Sequence, residues 1–467
     1  MIKFGTSGFR GLIGDTFTKE NVQRIAQALC KTIKKQKSNK PVVIGFDRRF
    51  LSDTYAIWFA EVLWGNKIKT KMYNLPVPSP TVMYTVMAED LDYGIIITAS
   101  HNPYDYNGLK ITTKGGKDAD PECVAEIEKI ANTNLKIKTL DLETANKTGL
   151  NVEIDNIKDY FKNINKLVSK TSKENNLKVI FNAMHGVTSD YAHYIDKMFK
   201  CKKFTIINDS IDPYFGHQLP SPEDNLLEDF KKEVVKGKYS VGLAVDGDGD
   251  RLAVIDETGT FHDNNLLMSV AYYYLVKYKG LKGDIVRNIS TSCIIDQLAE
   301  SLGYKCHEVP VGFKYVSAKM KEVDALLGGE SSGGMTIRGY IPSKDSFFSI
   351  AIILDAMATL KKPLSAIIKE VKDSCGYIST YINENIKISN KKKMQKALSK
   401  KSPNFSYKPK EIIRTDGVKY IFEGGAWVLI RFSGTENALR YTLEFPTEIE
   451  CERNLKAIEN FIKQYGK

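Results

Sequence analysis

The sequence predicts an α/β protein of three consecutive α/β domains with mixed, mainly parallel sheets, plus a small C-terminal α+β domain around a central cleft. Three observations predict it. Apolar runs of strand length alternate with helical patterns, the arrangement of parallel sheets covered by helices. The chain's 467 residues are too many for one core. Beyond about Cys375 the alternation gives way to closely spaced strands and a closing helix.

In the first unit, placed at 1–145, Pro41–Phe46 reads as a buried strand, Ser52–Trp64 as a helix and Gly94–Thr98 as a second strand. In the second unit, 146–253, Lys178–Phe181, Phe204–Ile207 and Val241–Val245 are strands separated by helical patterns. In the third, 254–370, Asp284–Ile289 and Ala325–Leu327 are strands beside helical patterns near 293–302 and 345–359. The tail, 371–467, carries Val428–Ile430, Leu439–Leu443 and a final helix. Polar linkers near 135–150 and 370–376 mark boundaries; the one between the second and third units is faint.

An apolar content of 42% and a charged content of 26% fit a soluble globular protein. No apolar run approaches the roughly 18 residues of a membrane span. The start, Met1–Gly5, lacks the apolar stretch of a signal peptide. Seven scattered cysteines without Cys-x-x-Cys spacing read as reduced thiols in a cytoplasmic protein. The net charge of +11 sits mostly in lysine runs such as Lys31–Lys40 and Lys391–Lys401, almost without aromatics for base stacking. The expected partner is therefore an anionic small molecule, with neither nucleic acid nor membrane; the oligomeric state, monomer or dimer, stays open.

Two motifs carry chemistry together. Thr98-Ala99-Ser100-His101-Asn102-Pro103 places a hydroxyl two residues past a strand, where open α/β sheets put reactive groups, and Asn102-Pro103 sets a turn. A serine in a turn is by itself most often structural. Asp246-Gly247-Asp248-Gly249-Asp250-Arg251 gives it company, with three carboxylates spaced by two and then a cation. A calcium loop would need glycine at the sixth position, where Arg251 stands, and Leu252–Ile255 reads as a strand. Three carboxylates leave a divalent ion one open position for a phosphate oxygen, and magnesium suits the all-oxygen set; an acidic turn is the plain alternative. Seryl oxygen, hard-cation cradle and arginine are the parts that hold and move a phosphoryl group.

Two further loops fit such a site. Arg431-Phe432-Ser433-Gly434-Thr435-Glu436-Asn437 offers a guanidinium fork, hydroxyls and exposed N–H groups, a phosphate nest or else a hairpin turn. Gly328-Gly329-Glu330-Ser331-Ser332-Gly333-Gly334 offers a carboxylate and hydroxyls suited to vicinal sugar hydroxyls, or is simply a turn.

In this order the four motifs, with Lys3–Gly11 and Asp47-Arg48-Arg49, resemble the α-D-phosphohexomutase superfamily, closest to its phosphoglucomutase/phosphomannomutase branch. The resemblance implies that Ser100 carries the phosphoryl group and that Ser100, Asp246, Asp248 and Asp250 ligate Mg²⁺. It places Arg10, Arg251 and Lys110 around the transferred group and His101 beside the phosphoserine. Lys110 is implied as general acid/base, which needs its pKa depressed by neighbouring cations. Glu330 and Ser332 match sugar-hydroxyl readers; Gly312, Lys314 and Lys344 fall in segments lining the sugar site. Arg431, Ser433, Gly434 and Thr435 match the grip on the non-reacting phosphate. The implied reaction interconverts hexose 1-phosphate and hexose 6-phosphate, glucose favoured and mannose next, through a hexose 1,6-bisphosphate that turns around in the site. A phosphopentomutase, a phosphoglucosamine mutase and a non-catalytic sugar-phosphate binder are the alternatives. Asn437, Ser331 and Gly339–Ser346 depart from the family pattern and bear on sugar preference, while Phe313-Lys314 differs from the Asp-Arg of the phosphoglucosamine branch.

Overall fold

The computed structural model of the protein describes residues 1–5, 8–169, 175–432 and 438–466. Val42–Phe46 and Tyr93–Ile97 are buried at every position, as unbroken apolar runs require of strands covered on both faces. They pair in parallel, and Thr70–Tyr73 and Asn151–Ile154 extend that sheet on one side. On its other side Tyr106–Thr113 and then Phe9–Leu12 run antiparallel. In the second sheet Lys178–Asn182 lies between Lys203–Ile207 and Val241–Val245, all parallel, with Leu252–Asp256 and Phe261–His262 added antiparallel. In the third, Ile285–Asn288 lies between its parallel neighbours Cys306–Val309 and Leu327–Gly329, and Met335–Ile337 closes an antiparallel edge. The fourth sheet is wholly antiparallel, in the order Thr380–Lys387, Ala438–Phe445, Trp427–Phe432, Val418–Ile421, Glu411–Ile413.

Sheet membership runs past the limits drawn from composition. Asn151–Ile154 hydrogen-bonds into the first sheet beyond residue 145, and Phe261–His262 into the second beyond 253. Helix Leu364–Cys375 buries Leu364, Ile367, Ile368 and Val371 in the third unit's core, past residue 370. Long-range pairing decides these edges, and polar composition near a linker carries no information about it.

The faint boundary between the second and third units has a packing cause. A single apolar cluster joins Val82 and Ile96 of the first unit, Phe181 and Leu243 of the second, and Ile352 and Ile367 of the third. Helix Ser346–Leu360 is apolar all round and buried along nearly its whole length, as a central helix must be. Its Phe347 ring meets Phe161 and Phe181 at centroid distances of 4.9 and 6.3 Å.

The fourth unit has its own core around Tyr420, Val428, Leu443 and Phe461. It docks on the third through Ile289, Trp427 and Leu429 and through the buried carboxylate of Glu444. Glu444 accepts hydrogen bonds from Ser292 Oγ (2.6 Å), Tyr377 OH (2.6 Å), Cys293 N (2.8 Å) and Trp427 Nε1 (2.8 Å). Four neutral donors satisfy one buried anion. Glu444→Ala orphans them together and is expected to lower stability by about 3 kcal/mol. Urea denaturation measures this, and an unmoved midpoint would contradict the hub assignment.

Candidate active site

Ser100 lies just beyond the carboxyl end of Tyr93–Ile97, buried, with a left-handed backbone φ of 54°. That conformation is costly for a residue with a side chain and persists only where its surroundings over-determine it. Here they do. Arg49 reaches across the loop and donates to the carbonyls of Ser100 (2.6 Å), Asn102 (2.6 Å), Pro103 (2.7 Å) and Tyr106 (3.1 Å). Asp47 balances its charge, with Oδ2 3.5 Å from Arg49 Nε, and accepts from Thr98 Oγ1 at 2.5 Å. Thr98 Oγ1 in turn accepts from Ser100 N at 2.8 Å. Asp47 and Arg49 thus hold the serine turn, while Arg48 donates to Asp190 and to the Asp209 carbonyl in the second unit.

The hydroxyl so presented donates to Asp246 Oδ2 at 2.8 Å and lies 3.3 Å from His101 Nδ1. Burial, with Arg251 and Arg10 nearby, holds His101 well below the usual histidine range, so its imidazole is neutral. Arg10, in the strand Phe9–Leu12, donates from Nη1 to Asn102 Oδ1 at 2.5 Å.

Asp246, Asp248 and Asp250 offer carboxylate oxygens within 4.8 Å of one another, all buried, in the loop after Val241–Val245. Asp246 Oδ1 accepts the backbone N–H groups of Asp250 and Arg251, each at 3.0 Å, which folds the loop around it. Ser79 Oγ donates to Asp248 Oδ2 at 2.6 Å. Lys110 Nζ lies 2.5 Å from Asp248 Oδ2 and 2.9 Å from Asp250 Oδ2, and Lys344 Nζ 3.3 Å from Asp250 Oδ1. Burial, reinforced by Asp248 and Asp250, pushes Asp246 above the ordinary carboxylate range. Burial acts upward on Asp248 and Asp250 too, and Asp250 adds to it at Asp248, but Lys110 and Ser79 together bring Asp248 down, and Lys110, Lys344 and Arg251 together bring Asp250 well down. Asp248 Oδ1 is buried without a hydrogen-bond partner among the described residues. Three convergent carboxylates with one orphaned oxygen could hold a hard divalent cation.

Burial lowers the pKa of Lys110, but Asp248 and Asp250 more than compensate and raise it above the usual lysine value.

The sugar-reading candidates adjoin this cluster. Gly334, at φ 83°, runs so close that a Cβ there would stand 2.5 Å from Lys344 Cβ and 2.7 Å from the Asp250 carbonyl. Glu330, buried just past Leu327–Gly329, accepts at Oε1 from Gly312 N (2.7 Å) and Asn288 Nδ2 (3.2 Å). Arg251 Nε, 3.9 Å from Asp250 Oδ1, makes no hydrogen bond among the described residues. Ser332 is exposed, and the Lys314 ammonium lies 5.3 Å from the Tyr315 ring centre. Arg431 Nη2 pairs with Asp416 Oδ2 at 3.0 Å, and the same oxygen accepts from Val311 N at 2.9 Å. Contacts therefore run continuously from Ser100 through the aspartates and Glu330 to Arg431. Ser433, Gly434 and Thr435 lie outside the described residues.

Ser79, Asn288 and Asp416 are contributors that no motif announces. Each is an ordinary polar residue locally and gains its place only through contacts far along the chain. A cavity of about 440 Å³, lined among others by Asn182, His185 and Phe215, contains none of the residues predicted from sequence.

Four family models match the chain in order. Those described as phosphoglucomutase/phosphomannomutase alpha/beta/alpha domains I, II and III match residues 1–138, 158–259 and 263–374, and the C-terminal domain matches 384–460. A phosphoglucosamine mutase from Campylobacter hominis is 28% identical, over 99% of this chain and 98% of its own. A phosphoglucomutase/phosphomannomutase from Thermococcus kodakarensis is 28% identical, over 98% and 99%. The crystal structure of a Thermus thermophilus protein assigned as a phosphomannomutase superposes with a TM-score of 0.86 at 25% identity, covering 99% of each chain.

Arg49→Leu removes the support of the serine turn and leaves Asp47 buried without its cation. A loss of about 3–5 kcal/mol is expected, the scale for breaking a buried pair, read as a shift in denaturation midpoint. Wild-type stability in that variant would refute the bracing role.

Proposed function

The chain belongs to the phosphoglucomutase/phosphomannomutase family, whose members are intramolecular phosphotransferases, and on that premise we propose that it interconverts hexose 1-phosphate and hexose 6-phosphate through a phosphoserine at Ser100. One observation carries the reading. The Ser100 hydroxyl, on a braced left-handed turn, stands 2.8 Å from the first of three buried aspartates, with Arg10, Lys110 and Arg251 around them. Such a setting supplies charge neutralisation in a desolvated space, the main requirement of phosphoryl transfer.

In the proposed cycle a sugar hydroxyl attacks the phosphoserine phosphorus. The new O–P bond forms as the bond from phosphorus to Ser100 Oγ breaks, the attacking hydroxyl gives up its proton and Ser100 Oγ takes one up, giving a hexose 1,6-bisphosphate. The intermediate turns around, and its other phosphate returns to Ser100. Asp246, Asp248 and Asp250 would hold Mg²⁺, which when bound supplies Lewis-acid neutralisation of a phosphoryl oxygen. Lys110, as an ammonium, acts first as an electrostatic partner of the transferred group. Glu330, beside Gly312, reads the sugar, and Arg431 with the loop that follows it grips the non-reacting phosphate. Arg431 Nε is buried without a hydrogen bond among the described residues, which leaves it a donor for that anion.

Glucose 1-phosphate, then mannose 1-phosphate, are the substrates of the primary reading. A second reading, an amino-sugar phosphate, is favoured by relatives named phosphoglucosamine mutases.

Intact-mass measurement of the purified protein is expected to show a phosphate adduct mapping to the Ser100 peptide. Ser100→Ala loses adduct and turnover together and still binds hexose phosphate; turnover persisting in that variant would overturn the reading. Stripping divalent cations with a chelator is expected to abolish turnover in a coupled assay, and added Mg²⁺ to restore it in the wild type but not in Asp248→Asn.

A further inference from the structure

Asp118 takes no part in the mechanism above. Its short strand, Lys117–Asp118, pairs antiparallel with Tyr106–Thr113 and sets Asp118 opposite Thr112. Side chains alternate along a strand, and directly paired residues share a face, so Asp118 lies on the same face as Lys110. The charges that bear on it are Lys110, Lys344, Asp250 and Glu330, from three units of the fold. Helix Phe313–Val323, capped by Gly312, packs against the same short strand. Asp118 therefore lies between the aspartate cluster and the sugar-reading loop.

Its carboxylate is half-buried, and burial raises its pKa, yet it makes no hydrogen bond or ion pair among the described residues. The nearby ammonium groups are already engaged, Lys110 by Asp248 and Asp250 and Lys344 by Asp250. A half-buried carboxylate that no protein cation pairs is free to take a positive charge brought by a ligand. Ser331, next to Glu330, adds no charge and shares a hydrogen bond with Ser290 Oγ at 2.8 Å.

The geometry points to Asp118 as a specificity-determining contact for an ammonium group on the hexose phosphate, an inference that rests on the phosphohexomutase reading. On that contact the second substrate reading, an amino-sugar phosphate, is preferred to the neutral sugar of the first.

The test compares kcat/KM for glucosamine 6-phosphate and glucose 6-phosphate in wild type, Asp118→Asn and Asp118→Glu, with thermal unfolding as a check on folding. Asp118→Asn is expected to lower the value for glucosamine 6-phosphate about tenfold or more, the scale of one charge-assisted hydrogen bond. Glucose 6-phosphate should change by less than about threefold over the same substitution, since it brings no charge to the site. Asp118→Glu, which keeps the charge, should retain the preference. Equal losses for both sugars, or no change for either, overturn the assignment, as does a wild type that favours glucose 6-phosphate. Titration calorimetry of both sugar phosphates reads the same selectivity from binding. Absence of turnover with any hexose phosphate would refute the mutase reading, while binding selectivity lost in Asp118→Asn would still uphold Asp118. Should the amide variant not fold, Asp118→Ser is measured in the same way.

Discussion

Three carboxylates brought within 4.8 Å of one another and buried repel, and the rest of the site is arranged around that repulsion. The compensating cations come from elsewhere in the chain. Lys110 arrives from the first sheet, and Lys344 from the segment before the central helix of the third unit. The acidic loop can stay dry only when those units are docked, so the site and the assembly of the first three units are one constraint. Their continuous apolar core supplies the docking energy.

The serine turn answers a second requirement, precision without flexibility. A left-handed Ser100 costs free energy, and the donors of Arg49 hold it by tying four carbonyls to one planar group. Asp47 neutralises that cation and fixes Thr98, so the strand end and the turn move as one body. A Cβ on Gly247 would stand 2.7 Å from the Ser100 carbonyl, so a bare backbone there lets the aspartate loop approach the turn.

The fourth unit is attached differently. Its own core is complete, and it meets the third through a small apolar patch, the neutral donors of Glu444 and the Asp416 bridge between Arg431 and Val311. Ion pairs there are few among the described residues; Lys419 reaching Glu308 at 2.5 Å is one. Across such polar, limited interfaces relative motion of units is the ordinary expectation.

Much of this was legible from residue order. Val42–Phe46, Tyr93–Ile97 and Val241–Val245 read as buried strands because unbroken apolar runs have few other uses, and the loops after them carried Ser100 and the three aspartates in recognisable spacing. The mixed sheets of the first three units, with parallel strands inside them, followed from the same alternation; the antiparallel strands that make up about half of the pairings in the first two did not. Strand edges such as Asn151–Ile154 were not legible, because a pairing partner some eighty residues away leaves no local mark. Nor was the pairing of Lys110, which depends on Asp248 and Asp250 lying within hydrogen-bond reach. The sequence alone determined the fold class, the order of motifs and the kind of chemistry they serve, since these rest on local periodicity and short-range spacing. Only the tertiary structure decided that Arg49 braces the serine, that Glu444 joins two units and that Asp118 shares a face with Lys110 without a partner among the described residues, because electrostatic and packing energies depend on distances that chain order does not contain.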